Sequence, residues 1–234
     1  EKQYRMRRDF TANVSHELKT PLTSISGYAE IIREGMVKSE DVGRFAGKIY
    51  EEAQRLITLV EDILNLSHLD EGAPGQERRQ GIDLYALCER AVASLAEAAR
   101  QRGIAISLTG SRQRVDGAEK LLAEIIFNLC DNAIKYNQEN GHVAVSVTRE
   151  GDRVVLTVQD TGIGIPPGET DRVFERFYRV DKSHSKEIGG TGLGLSIVKH
   201  AAAYHDAKIQ LDSQLGRGTR VRVLFPLSQK EAQP

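Results

Sequence analysis

Two long stretches at the start of the chain repeat apolar residues at three- and four-residue steps, the period of one face of an α-helix. In the first stretch these residues are Phe10, Val14, Leu18, Leu22, Ile25, Ala29 and Ile32. In the second they are Phe45, Ile49, Ala53, Leu56, Leu59, Val60, Ile63 and Leu66. The pattern predicts one helix over residues 2 to about 34 and another that ends before Gly72. Because residues 33–40 form only a short connection, we expect an antiparallel helical hairpin.

Both predicted helices carry broad apolar faces, which two helices alone bury poorly. Pairing of two hairpins into a four-helix bundle would cover these faces, so we expect a homodimer. The alternative, packing of the hairpin on its own chain, is disfavoured because residues 72–80 have the composition of a linker. We therefore divide the chain into a helical hairpin (1–72), a linker (73–80), a second domain (81–228) and a C-terminal tail (229–234).

The second domain mixes helical and strand periodicities. Helices are predicted over about 84–101, 117–136 and 191–205, and strands over 104–108, 142–149, 153–159, 207–212 and 219–225. Because strand follows strand in places without an intervening helix, we predict an α+β sandwich with helices on one face of a mixed sheet. The Gly-rich stretch 162–194 has little regular pattern, and a loop of this length in a compact domain is usually functional.

Composition and charge argue against some classes of function. The 234 residues are enough for two compact units. The 32 Lys and Arg residues nearly balance 33 Asp and Glu residues, which argues against a nucleic-acid partner. Cys88 and Cys130 lie in apolar helical segments without metal-ligand spacing, so we expect reduced core cysteines in a cytosolic protein.

No apolar run approaches the roughly 18 residues that a membrane span requires. The chain also begins at Glu1 rather than Met. We expect the cytoplasmic portion of a longer, membrane-anchored protein.

His16 is the first candidate for chemistry. At about 100° per residue it falls opposite the apolar stripe of its helix, so it should face solvent. Thr20 lies one turn further on the same side and Glu17 is adjacent, which gives a titratable nucleophile a hydroxyl and a carboxylate. The alternative is an ordinary surface histidine. Pro21 weakens that alternative because proline inside a helix removes a backbone donor and kinks or loosens the helix.

A polar stripe on the predicted helix 117–136 is the second candidate. Glu124, Asn128, Asn132 and Lys135 share one face, at i, i+4, i+8 and i+11. The carboxylate and carboxamide oxygens of this stripe can ligate Mg²⁺, and the ammonium of Lys135 can pair with phosphate oxygens. A solvated helix face is the alternative, but two asparagines have poor helix propensity, which favours function.

Two glycine-rich motifs complete the candidates. Residues 160–166, Asp-Thr-Gly-Ile-Gly-Ile-Pro, follow a predicted strand, where Asp160 can accept a hydrogen bond from an exocyclic amine and the glycines permit close approach of a flat ring. Residues 189–195 lead into a helix whose free amides can cradle phosphates. A Rossmann site is disfavoured because this motif neither follows a strand of a βαβ unit nor precedes an acidic ribose-binding residue.

With these motifs in order, the chain resembles the catalytic core of two-component sensor histidine kinases. The resemblance covers nearly the whole chain. It rests on an H-box (15–22), an N-box (128–136), a first glycine box (160–166), a phenylalanine box (173–179), a second glycine box (190–195) and a closing motif (216–219).

The resemblance implies a dimeric four-helix bundle followed by an ATPase domain of the GHKL type, with ATP and Mg²⁺ as cofactors. His16 would be the phosphoacceptor and Glu17 the base. Thr20 would serve a phosphatase activity, and Arg176 or Arg179 would stabilise the transferring phosphoryl group. Phe174 and Phe177 would clamp a lid. The other histidines that we singled out, expected to be structural, are His68, His142, His200 and His205.

The resemblance also implies the nucleotide site. Asn128 and Glu124 would hold Mg²⁺, Asn132 and Lys135 would lie near the phosphates, and Asp160, assisted by Thr219, would bind adenine. The remaining implied nucleotide-binding residues are Tyr136, Gly162, Gly164, Gly190, Thr191, Gly192, Leu193, Gly194 and Leu195.

We therefore expect a homodimeric protein histidine kinase that phosphorylates His16 from ATP and passes the phosphoryl group to an aspartate of a response regulator. The H-box argues against another ATPase of this fold, such as a chaperone or a mismatch-repair ATPase. Intact Glu17, Asn128 and Asp160 argue against a non-catalytic scaffold. The handedness of the loop at 33–40 decides whether ATP serves its own or the partner's His16, and both alternatives stay open at this point.

Overall fold

The computed structural model describes residues 2–70, 77–180 and 190–228. The chain divides into two compact units, Glu1–Asn65 and Leu66–Pro234. Three parts of the sequence predictions lie outside the described residues: most of the linker (71–76), part of the Gly-rich stretch (181–189) and the tail (229–234).

The first unit consists of two long helices, as predicted. They are α1 (Lys2–Arg33), which runs unbroken through Pro21, and α2 (Val42–Asp70), whose last turn (66–70) belongs to the second unit. The short 3-10 helix Ser39–Asp41 lies between them. Gly35 takes a φ of +68°, and the amide of Met36 donates to the carbonyl of Ile31 at 3.0 Å. This is a Schellman termination, which satisfies a carbonyl in the last turn and ends α1 at the predicted point.

The second unit contains three helices and seven strands among its described residues. The helices are α3 (Leu84–Gln101), α4 (Glu119–Lys135) and α5 (Gly194–Tyr204), and a 3-10 helix spans Arg172–Phe174. The strands are β1 (Arg79–Asp83), β2 (Ala105–Gly110), β3 (Arg114–Gly117), β4 (His142–Glu150), β5 (Arg153–Asp160), β6 (Lys208–Gln214) and β7 (Gly218–Pro226). All predicted helices and strands of this domain are present, while β1 and β3 were not predicted.

Five strands form the predicted mixed sheet, in the order β2-β4-β5-β7-β6. Only the β2–β4 pair is parallel, and the other neighbours are antiparallel. Alternate residues of β4, β5 and β7 are buried beneath the helices, namely Val143, Val145, Val147, Val154, Leu156, Val158, Val221, Val223 and Phe225. The α+β sandwich is therefore confirmed.

The unpredicted strands β1 and β3 form a separate antiparallel pair. Their register shifts between Arg79 and Ile82, where Gly81 takes a φ of +69° and its amide donates to Oδ1 of Asp116 at 2.8 Å. β1 thus begins inside the stretch that the sequence assigned to the linker. Its last residue, Asp83, caps α3 by accepting the amide of Ala86 at 3.1 Å.

Both cysteines are buried in the core, as predicted. Burial and the neighbouring Asp131 raise the pKa of the Cys130 thiol to about 12. Such a thiol is protonated at neutral pH and packs as a small apolar group.

Candidate functional site

The structure places His16 on the exposed side of α1, as its position in the helical pattern predicts. Its side chain is 75% exposed, and its Nδ1 lies 3.7 Å from Oε1 of Glu17, whose side chain is 31% exposed. The imidazole is therefore accessible from solvent and has a carboxylate close to one ring nitrogen.

Thr20 also lies on the exposed surface of α1. Its hydroxyl donates to the carbonyl oxygen of His16 at 3.2 Å, which fixes the hydroxyl one turn from the imidazole. Thr23 makes the same kind of bond to the carbonyl of Lys19 at 2.8 Å. The Thr20 hydroxyl oxygen keeps its lone pairs as acceptors.

In the second unit, the polar stripe of α4 faces the start of α5. The side-chain amide of Asn128 donates to the carbonyl of Glu124 at 2.9 Å, which assigns the nitrogen and leaves Oδ1 as an acceptor. A Cβ on Gly194 would lie 2.7 Å from that Oδ1 and 3.8 Å from Nδ2 of Asn132. Glycine at position 194 therefore brings the second glycine box against both asparagines.

Lys135 lies at the carboxyl end of the same stripe. Its Nζ is 2.6 Å from Oδ2 of Asp131, one turn earlier on the helix. Asp131 was not among the predicted site residues, although the i, i+4 spacing of opposite charges was a signal. The carboxylate fixes the ammonium beside the predicted phosphate-binding face.

Asp160, at the end of β5, is held from two sides. Its Oδ1 accepts the amide of Gly162 at 2.8 Å and the amide of Thr219 at 3.1 Å. Burial raises the pKa of the Asp160 carboxyl, while the two amide hydrogen bonds act in the opposite direction. The described backbone bonds both end on Oδ1, so Oδ2 is the oxygen suited to accept a ligand amine.

Several backbone approaches around Asp160 leave no room for side chains. A Cβ on Gly162 would lie 2.2 Å from the carbonyl oxygen of Tyr136, and one on Gly164 would lie 2.1 Å from that of Gln214. Gly164 also takes a φ of +68°. The hydroxyls of Ser213 and Thr219 lie 2.8 Å apart beside Asp160, and Ser213 was not among the predicted site residues. The first glycine box thus packs closely between the end of α4 and the β6–β7 turn.

The second glycine box contacts the phenylalanine box. The amide of Phe177 donates to the carbonyl of Gly192 at 2.9 Å, and a Cβ on Gly192 would lie 3.0 Å from the Phe177 backbone. Phe177 itself takes a φ of +62°, a strained conformation for a bulky residue.

The other predicted residues of the second glycine box lie around this contact. The Thr191 hydroxyl accepts the amide of Leu193 at 3.3 Å, and Leu193 is buried. A Cβ on Gly190 would lie 2.9 Å from the Tyr136 hydroxyl, and Leu195 is half-buried in the first turn of α5.

The two candidate arginines of the phenylalanine box are partly buried. Arg176 pairs with Asp70 at the end of α2 and lies 3.2 Å from Nε2 of His200 on α5. Neither Asp70 nor His200 was among the predicted site residues. Arg172, in the preceding 3-10 helix, stacks on the ring of Tyr178 at 4.2 Å.

The described residues also line a cavity of about 440 Å³ at the carboxyl ends of α3 and α4. None of the predicted nucleotide-site residues lines it.

Among the described residues, no three His, Cys, Asp or Glu side chains are grouped so as to hold a metal ion. A carboxylate and a carboxamide on α4 do fit Mg²⁺, which is commonly bound by one or two side chains together with substrate phosphates. No helix in the described part of the chain is long and apolar enough to cross a membrane.

Two known families match the chain in its order of domains. Residues 6–72 match the "His Kinase A (phospho-acceptor) domain", and residues 117–229 match the "Histidine kinase-, DNA gyrase B-, and HSP90-like ATPase". The first match contains His16, and the second contains every predicted nucleotide-site residue.

Individual relatives agree with these matches. The sensor-like histidine kinase SenX3 of Mycolicibacterium smegmatis is 41% identical over 221 residues, covering 94% of this chain and 57% of that protein. The chain spans about half the length of curated relatives such as this one.

Solved structures share the architecture. Full-length ShkA in complex with AMPPNP has a TM-score of 0.67 at 27% identity, covering 94% of this chain and 46% of that one. Histidine kinase ThkA in complex with the response regulator protein TrrA has a TM-score of 0.77 at 22% identity, covering 98% of this chain and 64% of that one. At this identity the similarity supports the fold alone.

Proposed function

The chain belongs to the sensor histidine kinases of two-component systems, and from that premise we propose that it phosphorylates its own His16 with ATP. The observation that carries this proposal is the exposed His16 imidazole with the Glu17 carboxylate 3.7 Å from its Nδ1. A solvent-accessible imidazole with a carboxylate near one ring nitrogen is the arrangement that general-base activation of a nucleophile requires.

The chemistry follows from the two nitrogens of the ring. Glu17 takes the proton from Nδ1 while the lone pair of Nε2 forms a bond to the γ-phosphorus of ATP. The bond from that phosphorus to the bridging oxygen breaks, and ADP leaves with the electron pair. The proton stays on the Glu17 carboxylate, so charge does not accumulate on the imidazole.

ATP would bind to the second unit, with adenine at Asp160 and the phosphates at the second glycine box. Oδ2 of Asp160 accepts the exocyclic amine, and Gly162 and Gly164 permit the base to approach the backbone. Asn132 and Lys135 lie toward the phosphates on the α4 face. The 27% identical ShkA, solved with AMPPNP, supports nucleotide binding by this arrangement.

Mg²⁺ would be held by Oδ1 of Asn128 and the Glu124 carboxylate, together with phosphate oxygens of ATP. The ion, when bound, neutralises charge that builds on the phosphates during transfer. Asn128 is suited to this task because its amide nitrogen is already bonded to a helix carbonyl, which leaves the oxygen on the side of Gly194 in the second glycine box.

The partners that we propose are a second copy of the chain and a response regulator. Leu22 on α1 and Tyr50, Ile57, Val60 and Leu64 on α2 are exposed apolar side chains that a second hairpin would cover. The phosphoryl group would pass from His16 to a regulator aspartate, and Thr20 would orient water in the reverse, phosphatase reaction. That the chain is the cytoplasmic portion of a membrane-anchored protein stays a prediction.

Incubation of the purified chain with [γ-³²P]ATP and Mg²⁺ tests the proposal. We expect label on His16 that is labile in acid and stable in alkali, as a phosphorus–nitrogen bond requires. His16→Gln should abolish the label and keep ATP affinity, because an exposed side chain supports neither core. Asn128→Ala should lower the labelling rate at limiting ATP by weakening Mg-ATP binding about tenfold or more.

Each rival function gives a different result. ATP hydrolysis without labelled protein would favour a chaperone-like ATPase, and nucleotide binding without turnover would favour a scaffold. Acid-stable label on serine or threonine would refute His16 as the acceptor.

A further inference from the structure

An ion pair in the second unit involves Arg176, one of the two arginines that the resemblance implies for stabilising the transferring phosphoryl group. Nη2 of Arg176 lies 2.5 Å from Oδ1 of Asp70, and the two side chains are 28% and 40% exposed. Asp70 is the last residue of α2, whose final turn belongs to the second unit. A hydrogen bond between two charged groups in a partly buried position is stronger and less screened than one on the open surface.

His200 on α5 fixes the same guanidinium from another direction. Its Nδ1 lies 2.7 Å from the carbonyl oxygen of Ser196, so this nitrogen carries the hydrogen. Nε2 is then an acceptor, and it lies 3.2 Å from Nη2 of Arg176. The same Nε2 lies 3.5 Å from Oδ1 of Asp70, which places all three groups in one cluster.

The cluster is tied to the second glycine box. The hydroxyl of Ser196 donates to the carbonyl of Leu193 at 2.7 Å, within the turn that begins α5. Next to Arg176, the amide of Phe177 donates to the carbonyl of Gly192. The position of Arg176 is therefore set jointly by Asp70, by α5 and by the residues predicted to cradle phosphate.

A guanidinium that is already paired with one carboxylate attracts a second anion less strongly. While Nη2 is bonded to Asp70, part of the positive charge is neutralised and the side chain is oriented toward α2. A γ-phosphoryl group would have to compete with this carboxylate for Arg176.

We propose that Asp70 is an inhibitory positioning residue: in this conformation it withholds Arg176 from the phosphoryl group, and autophosphorylation requires the ion pair to open. This inference rests on the proposed function and takes Arg176, one of the two arginines that the resemblance implies for this role, as the residue that stabilises the transferring group. Since Asp70 ends α2, the state of the last turn of that helix determines whether the arginine is available.

Asp70→Asn tests the inference, since it removes the charge and keeps the shape. The maximal rate of His16 labelling should rise about threefold or more. The affinity for ADP, which has no γ-phosphate, should stay unchanged and also verifies that the variant is folded. Asp70→Ser should act in the same direction.

Arg176 must mediate the effect. Arg176→Ala should lower the labelling rate, and the double variant Asp70→Asn with Arg176→Ala should be as slow as Arg176→Ala alone. Glu150→Gln is the matched control, because it removes the carboxylate paired with Arg222 at 2.6 Å in the sheet, and its rate should equal that of the wild type.

A lower rate for Asp70→Asn would mean that Asp70 holds Arg176 in a productive position, and the inhibitory role would be refuted. An unchanged rate, or a rise that persists without Arg176, would refute it as well. If the wild type forms no acid-labile label, the proposed function fails along with this inference. If the wild type is labelled and Asp70→Asn is no faster, only the inference fails.

Discussion

At the scale of the residue, the hydroxyl of Thr20 is the most informative neighbour of His16. It is held 3.2 Å from the His16 carbonyl on the exposed side of α1, with its lone pairs available as acceptors. We expect Thr20→Ala to lower phosphatase activity toward a phosphorylated regulator by about tenfold while autophosphorylation changes little, because orienting a water requires a fixed polar group. Both rates should be measured on the same preparation.

Thr23→Ala is the control for this prediction, since Thr23 makes an equivalent bond to the carbonyl of Lys19 and does not neighbour the imidazole in the same turn. It should leave both rates near those of the wild type. Parallel losses of the two activities in Thr20→Ala would mean that Thr20 only shapes the helix before Pro21.

At the scale of the element, α4 depends on α5 for the start of its helix. The amide of Ala118 donates to Nε2 of His205 at 3.0 Å, and Nδ1 of His205 lies 2.7 Å from the carbonyl oxygen of Ala201. A Cβ on Gly117 would lie 2.1 Å from the same Nε2. A neutral His205, the residue that follows the last turn of α5, thus accepts one of the backbone amides at the start of α4 that have no partner inside the helix.

This contact predicts a pH dependence of stability. Burial lowers the pKa of His205, and the charge of Arg78 adds to this effect, while Asp206 and the bond to the carbonyl of Ala201 oppose it. A folded pKa below the unfolded value means that the unfolded chain binds the proton first as pH falls. The stabilisation is complete above the ordinary histidine pKa of about 6.5 and is lost as the pH falls from there through the folded value.

We therefore expect the free energy of unfolding of the second unit to decrease between about pH 7 and pH 5, as measured by urea denaturation. His205→Gln should flatten this part of the profile, because an amide oxygen can accept from Ala118 and does not titrate. Phe225→Leu, which alters the ring packed on His205 at 6.1 Å, should lower stability by about 1 kcal/mol at every pH and keep the slope. An equal slope in His205→Gln and wild type would contradict the assignment.

At the scale of the whole molecule, the helical hairpin leaves apolar surface uncovered. Tyr50, Ile57 and Leu64 lie at seven-residue spacing on α2 and are 66%, 50% and 54% exposed. We expect Ile57→Glu combined with Leu64→Glu to convert a dimer into a monomer in sedimentation equilibrium, because burying four unpaired carboxylates in one bundle is prohibitive. ATP affinity of the second unit should persist.

Leu215→Glu is the matched control for the dimer. Leu215 is 58% exposed in the β6–β7 turn, so this variant adds a charge at an apolar surface residue outside the helices and should stay dimeric. A dimer that survives the paired substitutions on α2 would place the interface elsewhere.

The sequence by itself determined the elements whose signal is local. The helices α1 to α5 and the strands of the main sheet follow from periodicity, since one face of each must be apolar to be buried. The exposure of His16 and the shared face of Asn128 and Asn132 follow from helical geometry alone. The two families that match confirm the resemblance carried by the ordered motifs.

Only the tertiary structure decided features that depend on residues far apart in the chain. Strands β1 and β3 are short and largely polar, and they form because Arg79 pairs with Gly117 and Ile82 with Val115. Asp70 and Arg176 are 106 positions apart, and His205 and Ala118 are 87 apart, so no local period could connect them. Periodicity reports which side of an element is buried, whereas the partner of a charge or an amide is fixed only when the elements pack together.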